Sequence, residues 1–539
     1  MSIFSIYSFK RSNFDDFKEN LGEVSNFLPS YDISLTFHPP HSRIHTMSTQ
    51  ATPAATGPLR QFQQSLQSPD IIASLADGLI GKDAVIEGPF GLKPLVYADY
   101  VASGRALMQV ERFVLEHVLP YYANSHTEAS FCGGFITRLR REARAVVGRC
   151  CGADDEHAVI FSGSGATMGI NRLVHLFGVP AALAAGRKVR VVIGPYEHHS
   201  NILPWRECGA DIVVLAESPQ GGPDLDELDA ALQAPAGTLV ICALSAASNV
   251  TGIVADVEAI TRRVKRAGAR MIWDYAGGAP YLDIRMTPAA DAPIDAIVFS
   301  PHKFIGGPGA SGILIVRRDA VVPTTPTFPG GGTVKFVSPM NHDYSASLEA
   351  REEAGTPNVV GDIRAALVLL VKEALGADLM ARRNAAFVRR ALARWQDHPR
   401  LELLGSLSAP RLPIFSFRVR NGRGGYIHQQ LVTRMLSDRF GIQARGGCAC
   451  AGPYVHNLLE IDEAESARMR QAILDGREIE KPGFIRLNFS VLLSDAKADF
   501  ILDSVLALAA DATEFEDRYD FDPARAIFFP RPAAAATAA

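Results

Sequence analysis

Apolar positions along this chain fall into two alternating patterns. From Tyr97 to about residue 320, short apolar runs recur between stretches whose apolar residues stand three and four apart. The runs Ala158-Val159-Ile160-Phe161, Val189-Arg190-Val191-Val192-Ile193, Leu239-Val240-Ile241-Cys242-Ala243-Leu244, Ala269-Arg270-Met271-Ile272-Trp273 and Ala296-Ile297-Val298-Phe299 predict buried strands. Between the first two, Ile170, Leu173, Val174 and Phe177 keep helical spacing. Such alternation predicts a mostly parallel sheet covered by helices. The loop Phe328–Thr333 begins an irregular crossing, and Ala365, Leu369 and Leu370 then mark a helix packed between domains. From about residue 375, helices mix with alternating strands such as Ile414–Val419. The expected fold is α/β: a large domain over residues 95–345, then a connecting helix and a smaller α+β domain over 346–528.

The ends read differently. Residues 1–46 are rich in Ser, Phe and Asn, unlike the Ala/Arg-rich remainder, and are expected to be disordered or foreign to the native protein, with Met47 as a candidate start. That stretch lacks the Arg content of a transit peptide and the apolar centre of a signal peptide. Residues 47–94 form a lead-in, flexible over its Thr/Ser/Gln/Pro-rich part from 48 to 68. The Ala-rich end, 529–539, is expected to be a disordered tail. The mixed charges of Arg138–Val147 are expected to form the solvated face of an exposed helix.

Composition narrows the class. The chain has 539 residues, 47% hydrophobic and 21% charged, as in an ordinary soluble globular protein, and two domains are expected for this length. A net charge of −4 gives no reason to expect nucleic acid or anionic membrane as partner. No apolar run approaches the roughly 18 residues needed to span a bilayer. Seven scattered cysteines without a secretory signal suggest reduced thiols and a cytoplasmic location.

Candidate chemistry sits at the strand ends. Lys303 lies in Ser300-Pro-His-Lys-Phe-Ile-Gly-Gly-Pro308, directly after a strand, where an amine shielded from water is suited to imine formation. A solvated loop lysine is the commoner fate of any one Lys. Asp274 ends another strand, where open α/β sheets collect ligands. A carboxylate there can keep a pyridine nitrogen protonated and make pyridoxal phosphate an electron sink, or it can be a helix cap. Ser162-Gly-Ser-Gly165-Ala166-Thr167 joins a strand to a helix start, an anion site by its free N–H groups and dipole, though it is neither a P-loop nor a dinucleotide fingerprint. His198 can stack on a flat cofactor and exchange protons; the His198-His199 pair lacks the further ligands of a metal shell. Asn249 can donate to a phenolate oxygen, or serve an ordinary turn.

In this order, strand ends bearing Gly165, Ala166, Thr167, His198, Asn249, Asp274, Ser300, His302 and Lys303 resemble the class V branch of fold type I pyridoxal-phosphate enzymes, closest to the cysteine desulfurase and selenocysteine lyase group. The resemblance covers residues 95 to 510. It implies a large domain with a seven-stranded sheet, Lys303 in covalent linkage to the cofactor, Asp274 on the pyridine nitrogen, His198 stacked on the ring and Asn249 at the ring oxygen. Ala166, Thr167, Ser300 and His302 would hold the phosphate. The segment Glu353-Ala-Gly-Thr356-Pro-Asn358 resembles the one that reaches a neighbouring subunit's phosphate, which implies a homodimer. In this group an arginine precedes the persulfide-forming cysteine by five positions, as Arg445 precedes Cys450. Arg486 resembles the arginine that clamps the substrate carboxylate.

Three positions depart from the family pattern: Gly277 replaces a glutamine, Ala166 replaces the first threonine of the phosphate loop, and Cys448-Ala449 replaces a histidine pair. The resemblance implies conversion of L-cysteine to L-alanine with sulfur held on Cys450 for an acceptor protein. A C–S lyase, epimerase or aminotransferase would keep the cofactor roles and drop Cys450. A non-catalytic sulfur-carrier partner of the same fold is a third reading, opposed by the intact Lys303 and Asp274.

Overall fold

A computed structural model describes residues 57–125 and 127–531, which form one compact unit. The expectations for residues 1–46, for 47–56 and for 532–539 lie outside the described residues. The apolar runs do become strands. Seven of them build one sheet in the order His157–Gly163, Gly312–Arg317, Ala296–Phe299, Arg270–Asp274, Leu239–Ser245, Val189–Ile193, Asp211–Val214. Only Gly312–Arg317 runs against its neighbours. The central strands are covered on both faces, so their residues are apolar without alternation, as parallel sheets require.

The helix Val359–Leu375 is buried along almost its whole length. It packs on the helix Phe131–Cys150, and the Asn358 side chain caps its start by accepting the Gly361 N–H. A second sheet of four antiparallel strands, Leu401–Leu403, Ile414–Val419, Phe484–Asn488 and Arg445–Gly447, has its own core around Trp395, Phe415, Phe417 and Phe489. The α/β architecture with a smaller α+β region is thus as expected. No helix among the described residues is long and apolar enough to cross a membrane.

Four expectations need correction. The stretch expected to be flexible holds a helix, Pro58–Ser65, whose Leu59 and Phe62 are buried with Leu66 against the helices Phe131–Cys150 and Val359–Leu375. Its apolar stripe outweighs the Gln and Ser that surround it. The charges of the helix Phe131–Cys150 are not merely a solvated face. Arg140 and Arg144 reach inward to Glu353, and Arg140 also to Asp362, because those carboxylates lie buried opposite them. The strand Val96–Tyr97, at the start of the stretch expected to form the large domain, pairs with Ile442–Gln443 near the second sheet, where Val96 joins that sheet's core. Finally, the strand Ile527–Pro530 runs into the expected tail, because Phe528 packs on the second core.

Candidate active site

Parallel strands deliver their following loops to one edge of the sheet, and five of those loops meet around a cavity of about 180 Å³. Its wall includes Ala166, Thr167, His198, Asn249, Asp274, Ser300, His302 and Lys303, every one of them expected from the sequence. Lys303 closes a single 3-10 turn, Pro301–Lys303, directly after the strand Ala296–Phe299. Its amine opens onto the cavity yet lies deep among protein atoms. Burial pulls its pKa down to about 8, with Arg486 and Arg445 pulling the same way and Asp274 opposing them.

Asp274 is the last residue of its strand and is buried. Oδ1 accepts the Ala276 N–H at 2.7 Å. Burial raises its pKa above the ordinary carboxylate value, and the nearby Lys303 charge offsets part of that rise. An acid so placed gains from a cation brought into the cavity beside it.

The opposite end of the cavity is built for an anion. The helix Ala166–Leu176 begins at Gly165, whose φ of +72° belongs to the left-handed region. A Cβ there would stand 2.7 Å from Ser300 Oγ and 3.1 Å from the His302 ring, so glycine is required twice over. The Ala166 N–H donates to Ser300 Oγ at 3.0 Å, and the Thr167 and Ser200 hydroxyls meet at 2.7 Å. Free amide groups at a helix start beside three hydroxyls suit a phosphate.

His198 stands over the same space. Its Nδ1 accepts the Ser200 N–H at 3.1 Å, which leaves the ring proton on Nε2. Burial, then the charge of Lys303, pulls its pKa to about 4, so the ring is neutral at physiological pH. The Asn249 amide nitrogen donates to the Ala449 carbonyl oxygen at 2.9 Å, while its Oδ1 is buried without a partner. Asn249 therefore ties the cavity wall to the Cys448–Cys450 loop and keeps one amide hydrogen for a ligand. Gly277 lines the wall beside it, and a Cβ there would crowd the Ala247 carbonyl oxygen at 3.2 Å.

Four predicted residues lie off this cavity. Thr356 opens onto a neighbouring cavity of about 300 Å³ that shares Ser164 with the first. Arg486 is buried in the second sheet and donates from Nη1 to the Asn249 carbonyl oxygen at 3.1 Å. Arg445 and Arg486 both bond to Asp99. Cys450 is exposed, in a loop docked on the His198–His199 turn, where its carbonyl oxygen accepts the His199 N–H at 2.8 Å.

Sequence reasoning missed two buried acids. Asp99 holds both arginines. Glu197, the residue before His198, accepts from the Ser245 N–H, the Ser245 hydroxyl and the Asn201 amide at 2.6 to 2.8 Å. A carboxylate directly before His198, just past a strand, was the available signal for Glu197; for Asp99 nothing local distinguished it.

Comparison with known proteins points the same way. The sequence model of the family described as aminotransferase class-V matches residues 96–474. A cysteine desulfurase of Enterobacter sp. (strain 638) is 31% identical over 364 residues, covering 67% of this chain and 85% of that protein. Among solved structures, an apo cysteine desulfurase from Thermococcus onnurineus NA1 aligns with a TM-score of 0.64 at 25% identity, over 77% of this chain and 95% of that one. The Escherichia coli cysteine desulfurase CsdA shares the fold, with a TM-score of 0.63 at 21% identity over 82% and 98% of the two chains.

Proposed function

We propose, from the premise that this chain belongs to the class-V aminotransferase family, how its residues carry out the reaction of a pyridoxal-phosphate-dependent, cysteine desulfurase-like enzyme. The cavity fits that cofactor: an amine at one wall, a buried acid, and an amide-and-hydroxyl cradle at the start of a helix. In this reading Lys303 holds the cofactor aldehyde, Asp274 its ring nitrogen, and Ala166, Thr167, Ser300 and His302 its phosphate, with His198 against the ring and Asn249 at the ring oxygen. When bound, pyridoxal phosphate supplies an electron sink for the bond broken at the substrate α-carbon.

The protein's own groups do the rest. Arg486 orients the substrate carboxylate through its remaining N–H groups. Lys303, its basicity lowered towards neutrality by burial, exchanges the proton at the α-carbon. His198, neutral with its proton on Nε2, serves as donor or acceptor at the cavity mouth. The Cys450 thiolate attacks the substrate sulfur; the substrate C–S bond breaks, an S–S bond forms on Cys450, and alanine leaves after protonation. The observation that carries this reading is the docking of the Cys450 loop on the turn that presents His198 to the cavity.

A homodimer is part of the proposal. Thr356 opens on a cavity next to the phosphate cradle, and Leu115, Leu119, Tyr121, Tyr122 and Phe131 are exposed apolar side chains, which supports a second copy. A cytoplasmic location, with Cys450 kept reduced and a sulfur-acceptor protein as partner, completes it.

The test compares wild type, Cys450→Ala and Lys303→Ala, with alanine and sulfide assayed together on L-cysteine. Loss of alanine formation in both variants is expected. Undiminished sulfide release by Cys450→Ala would favour a C–S lyase, and full activity in Lys303→Ala would defeat the reading.

A further inference from the structure

His199 touches the Cys450 loop twice. Its backbone N–H donates to the Cys450 carbonyl oxygen at 2.8 Å, and its ring Nε2 accepts the Gly452 N–H at 2.9 Å. The two contacts bracket the peptide units that follow Cys450. The loop needs such support, because Ala449 and Cys450 adopt φ values of 50° and 56°, in the left-handed region that side-chain-bearing residues avoid. Backbone of this kind persists only where its surroundings hold it.

The neighbouring ring faces the other task. His198 lines the cofactor cavity while His199 meets the cysteine loop, their ring centres 6.1 Å apart. One turn therefore sets the cavity wall and the reactive loop in register. Acceptance at Nε2 requires an unprotonated nitrogen there, with the ring proton on Nδ1. Burial, joined by the charges of Lys481 and Arg206, lowers the pKa of His199 and keeps that nitrogen free.

We infer that the His199 ring is a positioning residue for sulfur transfer: by accepting the Gly452 N–H it fixes the loop so that the Cys450 thiol meets the substrate sulfur at the cavity mouth. This rests on the proposed role of Cys450 as sulfur acceptor. Glutamine at 199 offers a side-chain oxygen in place of Nε2, whereas leucine offers similar bulk and no acceptor.

The experiment mixes holoenzyme with L-cysteine for a single turnover and follows the Cys450 persulfide by mass spectrometry of the trapped peptide. His199→Leu is expected to slow persulfide formation about tenfold or more, as misplacement of a reacting group does. Its cofactor absorbance and the KM for cysteine should stay at wild-type values, since neither the cavity wall nor Arg486 is altered. His199→Gln should recover most of the rate. A Leu variant within twofold of wild type, equal losses in both variants, or a Leu variant that no longer folds or holds cofactor would each overturn the inference. A wild type that makes alanine without ever labelling Cys450 would instead defeat the proposed function itself, and this inference with it.

Discussion

Arg486 and Asp99 form a buried ion pair across 387 positions of the chain, Nη2 donating to Oδ1 at 2.9 Å. The second oxygen of Asp99 takes Arg445 Nε at the same distance. One internal carboxylate thus orders both Arg486, which the sequence marks for the substrate carboxylate, and Arg445, which precedes Cys450 by five positions. Arg486 Nε is left buried without a partner, a donor free for an incoming anion. Because Arg445 opens the strand that leads to Cys448 and Cys450, Asp99 also links Arg486 to the Cys448–Cys450 loop.

Removal of that carboxylate should be costly. Asp99→Ala leaves the Arg486 charge buried and uncompensated, for which a loss of about 3 kcal/mol of stability is expected. Urea unfolding with cofactor present measures it. The same variant should raise the KM for cysteine more than it lowers kcat, since Arg486, proposed to hold the substrate carboxylate, loses its partner while Lys303 and Cys450 are untouched. An unchanged unfolding midpoint would mean that Asp99 anchors nothing.

Lys303 offers a pH test on the cofactor-free protein. Only the neutral amine captures an aldehyde, and burial lowers the pKa of this one to about 8. The rate of pyridoxal phosphate uptake, followed by absorbance, should therefore rise with pH through a midpoint near 8 and not near the 10.5 of a free lysine. The negative charge of Asp274 raises that pKa, so Asp274→Asn should move the midpoint lower still. A midpoint above 10 would contradict the burial of the amine.

Lys303, Asp274 and His198 were legible because each follows an apolar run that could only be a strand, and strand ends in open α/β sheets are where ligands bind. Gly165 was legible because a tight turn into a helix calls for it. The partners of Asp99 and Glu353 were not legible. Asp99 meets Arg486 387 positions away, and Glu353 meets Arg144 209 positions away, separations that no local pattern encodes. The helix Pro58–Ser65 was hidden for a different reason: three apolar residues, Leu59, Phe62 and Leu66, are spread among Gln, Ser and Arg, so composition pointed to a linker although their spacing of three and four fits a helix.

That helix yields a direct test. Phe62 is buried and meets Phe113 edge to face at 5.5 Å. Phe62→Ala should cost about 3 kcal/mol, as cavity-forming aromatic truncations do. Deletion of residues 1–67 should cost at least as much. Thermal or urea unfolding of either protein at wild-type stability would show that the segment merely leads into the fold.

Two buried glutamates should respond to pH with opposite signs. Burial raises Glu197 to about 7, against the hydrogen bonds from Ser245 and Asn201 that favour its ionised form. Its folded pKa exceeds the ordinary 4.5, so its contribution is whole below about pH 4.5 and is lost as pH rises through about 7, a change of roughly 3 kcal/mol. Glu353 is buried as well, yet the charges of Arg144 and Arg140 outweigh that burial and hold its carboxyl below the ordinary value. Its contribution is present above 4.5 and is lost as pH falls through the lower folded value. Urea unfolding across pH 4 to 8 separates the two. The stability of wild type relative to Glu197→Gln should fall as pH rises, whereas its stability relative to Glu353→Gln should fall as pH falls. A gap of constant size in either comparison would mean that the carboxyl in question titrates in the folded protein as it does in the unfolded chain.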